Sequence, residues 1–120
     1  MDESEAQTLC KDLLVLSAEI EFAAVAANPG GEVLAMETNI PVRSNTPQKH
    51  FDIFVHMMKD VVAKLEERYG RCNYFLFNFT QGQMMIFPTK DSVVAIGTKP
   101  LASPALITLV ADRLRLYIPR

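Results

Sequence analysis

A chain of 120 residues, 49% of them hydrophobic, fits one domain and can bury a core without disulfide or metal staples. Twelve basic residues against fourteen acidic ones leave a net charge of −2, and the absence of a basic stripe argues against a nucleic-acid partner. The acidic opening MDESE is unlike a secretory leader, and no apolar run approaches the ~20 residues of a membrane span. Cys10 and Cys72 show no paired or metal-like spacing and predict reduced thiols in a cytoplasmic protein.

Taken in order, the chain is expected to start a helix at Ser4, with Gln7 completing a capping box. Asp2, Glu3 and Glu5 suit the positive end of its dipole, and Ala6, Leu9, Cys10, Leu13 and Leu14 form its apolar stripe. Residues 20–27, IEFAAVAA, carry no polar side chain after Glu21 and read as a central strand covered on both faces. Asn28-Pro29-Gly30-Gly31 is a strong turn signal, and Glu32 to Thr38 returns as a second strand whose polar ends suit an edge. Residues 39–47, with Pro41 and Pro47, read as a loop.

Residues 48–69 then predict a long helix, about 33 Å at ~1.5 Å per residue. Phe51, Phe54, Val55, Met58, Val61, Val62, Leu65 and Tyr69 share the stripe that would cover the helix's own sheet. Ile53 and Met57 form a second apolar flank, near Asp60 and Lys64, of the kind a helix needs to meet another surface. Gly70 is placed to end it.

From Asn73 to Thr80 the chain alternates. Phe75, Phe77 and Phe79 are expected in the core, with Tyr74, Leu76, Asn78 and Thr80 on the other face. Gln81-Gly82 reads as a hairpin turn, Gln83 to Phe87 as a strand stopped by Pro88, and Ser92 to Thr98 as the last strand. A final helix is predicted from an N-cap at Ser103 and Pro104 at the first helical position. Its inner stripe would be Leu106, Leu109, Val110, Leu114 and Tyr117, and Pro119 would end it.

Catalytic chemistry is hard to find. Gly30-Gly31 lacks the context of a phosphate-binding loop. His50 and His56, six apart, fall on different sides of a helix and do not pair as metal ligands, and Ser44, His50 and Asp52 have no triad geometry. Adjacent Glu66 and Glu67 diverge into a solvated charged face with Lys64 and Arg68. The expectation is no catalytic, cofactor or metal site and no enzyme; the dense Phe and Met content also argues for a filled core rather than a sensor's ligand pocket.

Function therefore has to be sought on surfaces. The strand at 73–80 enters the sheet from outside and contains neither charge nor proline, so it is expected at an edge that invites pairing with another chain. A two-fold homodimer would bury this edge and the helix flank together. The candidate interface residues are Ile53, Met57, Asp60 and Lys64 on the helix and Tyr74, Leu76 and Asn78 on the strand.

The element order, the segment EFAAVAANPGGEVLAMET, the helix at 48–69 and the closing run FLFNFTQGQMMIFPTKDSVVAIGT resemble the Roadblock/dynein light chain family, within the profilin-like and longin-like superfold. The resemblance runs nearly full length. It implies an α+β fold in the order α-β-β-α-β-β-β-α, with a five-stranded antiparallel sheet and helices on both faces. It also implies a dimer through the long helix and third strand. Such proteins bind Ras-like small GTPases, as co-regulators of prokaryotic polarity GTPases or as lysosomal scaffolds, and others are light chains holding dynein intermediate chains. A GTPase-binding homodimer is the first expectation, and a peptide-binding scaffold the alternative.

Overall fold

The computed structural model describes residues 1–27, 32–39 and 60–117. Helix α1 spans Glu3–Leu14 and strands β1 and β2 span Ile20–Ala27 and Val33–Thr38. Residues 60–69 form the described part of α2. Strands β3, β4 and β5 are Phe75–Phe79, Gly82–Pro88 and Ser92–Thr98, and α3 is Ala105–Leu114. The strands form one sheet in the order β2-β1-β5-β4-β3, and every neighbouring pair is antiparallel. This is the α-β-β-α-β-β-β-α arrangement expected.

Side-chain alternation divides the core into two layers. On one face Ala23 and Val25 of β1, Met85 and Phe87 of β4, and Val94 and Ile96 of β5 pack with Ala6, Leu9 and Leu13 of α1 and Leu106 and Val110 of α3. On the other face Ala26, Ile86, Val93 and Ala95 are buried, with Phe22, Phe75, Phe77 and Met84 partly buried against them. Ala23 to Ala26 are all inaccessible, as the unbroken apolar run of β1 requires. α1 and α3 cover the first face, while the end of α2 lies over Phe75 on the second.

Several local expectations shift. The N-cap of α1 is Asp2, whose carboxylate accepts the Glu5 N–H at 2.8 Å. Gln7, assigned to a capping box with Ser4, instead donates to the Glu37 carboxylate on β2. An Asp one residue before the first turn, already favoured by the dipole, outcompetes the Ser. The turn between β3 and β4 is Thr80-Gln81, because Phe79 pairs with Gly82. Gly82 opens β4 rather than forming the turn: a Cβ there would lie 2.7 Å from the Thr98 carbonyl oxygen, so its value is close backbone approach.

α3 begins one residue later than predicted, with Pro104 as its N-terminal flank, although the Ser103 hydroxyl still accepts the Ala105 N–H at 3.3 Å. Leu109, assigned to its inner stripe, is exposed, and Ile107 and Ala111 pack inward instead. The helix ends at Leu114, before Pro119 can act. The turn at 28–31, the loop at 40–47 and the first half of the long helix lie outside the described residues.

Candidate interaction site

The candidate site is the β3 side of the sheet. β3 is at the end of the strand order, as the sequence predicts, and among the described residues β4 is its only neighbour. Gly70 leads into it. Its positive φ of 84° and the bond from its N–H to the Glu66 carbonyl at 2.9 Å end α2, in the left-handed conformation that glycine adopts without penalty. The Glu66 carboxylate then accepts the Cys72 N–H at 2.8 Å, tying the junction back to the helix.

The structure places the sequence-derived candidates as follows. Ile53 and Met57 lie outside the described residues. Asp60 and Lys64 are exposed one helical turn apart on α2. Tyr74, Leu76 and Asn78 are exposed too. The Tyr74 ring lies 6.0 Å from that of Phe87, and the Asn78 Oδ1 accepts from Gln83 Nε2 at 3.4 Å. Phe87 belongs to the face covered by α1 and α3, so these three strand residues face away from α2. The strand candidates thus stand on the face opposite to α2, the helix that carries Asp60 and Lys64.

Other residues, read from sequence as core, prove exposed. Val61 is 51% accessible, Leu65 48%, Tyr69 73% and Phe79 62%. Leu65 and Tyr69 nevertheless border the space between α2 and Phe75 of β3. Phe79 stacks on Phe77 with ring centres 6.4 Å apart, yet nothing described covers its outer side. Periodicity shows which residues share a face; it does not show where the covering layer stops.

Between α2 and β3 lies an open groove of about 220 Å³, whose lining includes Val62, Leu65, Tyr69, Cys72 and Phe75 together with Glu66 and Arg71. Its chemistry is apolar, suited to a hydrophobic side chain rather than to bond making. Among the described residues no cluster of three or more His, Cys, Asp or Glu is placed to hold a metal. No described helix is long and apolar enough to cross a membrane.

No protein-family model matches the sequence, and comparison with curated proteins finds no match. Solved structures do match. The gliding protein MglB from Thermus thermophilus aligns with a TM-score of 0.67 at 11% identity, over 97% of this chain and 90% of that one. A Roadblock/LC7 domain from Streptomyces avermitilis gives 0.63 at 11% identity, over 92% and 95%. Profilin from Schizosaccharomyces pombe gives 0.65 at 12% identity, over 93% and 94%. The chain therefore has the fold that MglB and Roadblock/LC7 domains share with profilin.

Proposed function

We propose that this protein is a non-enzymatic, cytoplasmic homodimer that binds and regulates a Ras-like small GTPase. The observation that carries the reading is the open β3 edge, free of charged side chains and flanked by the exposed apolar residues of α2. Such an edge in an isolated protomer is a template for strand pairing, and natural proteins protect edges that are not used. Two copies related by a two-fold would join their sheets and cover these exposed residues. The GTPase rests on the Roadblock resemblance in the sequence, and the likeness to MglB supports the fold that this reading assumes.

Met57→Lys tests the dimer. A charge buried unpaired at an interface costs about 3–5 kcal/mol, so light scattering should report a folded monomer. A dimer of undiminished stability would remove Met57 from the interface. The partner is tested by pull-down with purified Ras-like GTPases of the source organism, each loaded with GDP or a non-hydrolysable GTP analogue. Nucleotide-dependent capture supports the proposal. Capture only of an intermediate-chain peptide would favour the scaffold reading instead.

A further inference from the structure

Two features at the β3 edge are left uncovered by the described protomer. One is Phe79, which at 62% exposure is far too open for a phenylalanine in a hydrophobic row. The other is the apolar groove of about 220 Å³ between α2 and Phe75. An apolar cavity of about 150 Å³ holds a benzene ring, so the groove has room for a phenyl group. Phe79 cannot fill its own groove: it lies four residues from Phe75, roughly 13 Å along the strand.

Symmetry removes that distance. Strands paired about a two-fold normal to the sheet keep their faces, so residues of like parity oppose each other. Centred on Phe77, the middle of Phe75–Phe79, such pairing sets Phe79 of each copy opposite Phe75 of the other. Phe75 and Phe79 share the α2 face by alternation, and Phe75 lines the groove. The uncovered end of one copy's phenylalanine row then meets the covered end of the other's.

We infer that Phe79 is an interlocking residue that inserts into the groove formed by Val62, Leu65, Tyr69 and Phe75 of a second copy, twice per dimer. This deepens the dimer proposed above and rests on it. The insertion fixes the register of the joined strands, which main-chain pairing alone leaves free to slip by two residues. It also covers Leu65 and Tyr69, which are exposed in the single chain.

The protein has no tryptophan, so Phe79→Trp supplies a sole fluorescent reporter. As concentration rises through the association range, its emission should shift to the blue and its iodide quenching should fall. Adding Leu65→Glu to the same chain should abolish both changes. Phe79→Ala should weaken association about tenfold or more, as loss of a buried aromatic anchor does, with unchanged circular dichroism. If Phe79→Ala dimerises as tightly as the parent and the tryptophan stays solvated in the dimer, the insertion is wrong while the dimer stands. If the parent shows no association by sedimentation, the dimer is wrong and the insertion falls with it.

Discussion

Cys10 shows how far burial can control one group. It lies fully inaccessible between α1 and the sheet, and desolvation, reinforced by the nearby Glu37 carboxylate, pushes its thiol up to about 12. A thiol reagent reacts with the thiolate, whose native fraction at pH 8 is then only ~10⁻⁴. The linkage has a definite sign. Because the folded value lies above the unfolded one, the unfolded state releases the proton first, so stability is intact below about pH 9 and declines as pH rises towards 12. Urea unfolding across pH 8–11 should show this decline, and Cys10→Ala should flatten it while costing about 1 kcal/mol at neutral pH. An unchanged slope in the variant would assign the alkaline loss to other groups.

At the scale of elements, α1 and α3 lie on the same face of the sheet and are tied by one carboxylate. Asp12 Oδ1 accepts from Arg113 NH1 at 2.8 Å, and Asp12 Oδ2 from the Tyr117 hydroxyl at 2.9 Å. That second bond raises the Tyr117 pKa above its ordinary value, since ionising the phenol would set two anions against each other. The three groups are part-buried, so solvent screens them only in part. Asp12→Ala should cost about 1–2 kcal/mol by denaturant titration, with both donors left without their acceptor. Tyr117→Phe should cost less, because Arg113 keeps its partner. Equal losses would mean that the tyrosine bond dominates.

The same scale shows what the sequence makes legible. Each described strand falls within about two residues of its predicted span, because alternation, β1's unbroken apolar run and the proline at the end of β4 are local signals. The edge position of β3 is also readable, from its lack of charge and its place after a long helix. What periodicity does not supply is the extent of cover. Val61, Leu65 and Phe79 have the spacing of core residues and are nevertheless exposed, since the cover each receives depends on non-local packing. Gly82 misleads as a turn signal for the related reason that its constraint, the Thr98 carbonyl, is sixteen residues away.

Among the described residues of the molecule the two layers are unequal. The face beneath α1 and α3 buries Leu9, Leu13, Met85, Phe87, Ile96 and Val110 almost completely, whereas on the other face Phe22, Phe75, Phe77 and Met84 are only partly covered by described residues. The thinner layer is the one that opens towards the β3 edge. A second copy joined there would complete it, so part of the native state's apolar burial would come from association and stability would depend on protein concentration. Each tenfold rise in concentration favours such a dimer by about 1.4 kcal/mol. For a chain of this size that corresponds to a melting temperature rising by a few degrees per decade. Scans over a hundredfold range of concentration should show this rise, and Phe79→Ala should melt lower at every concentration. A parent melting temperature independent of concentration, with a protomer mass of 13.4 kDa in solution, would show instead that the open layer is sufficient by itself.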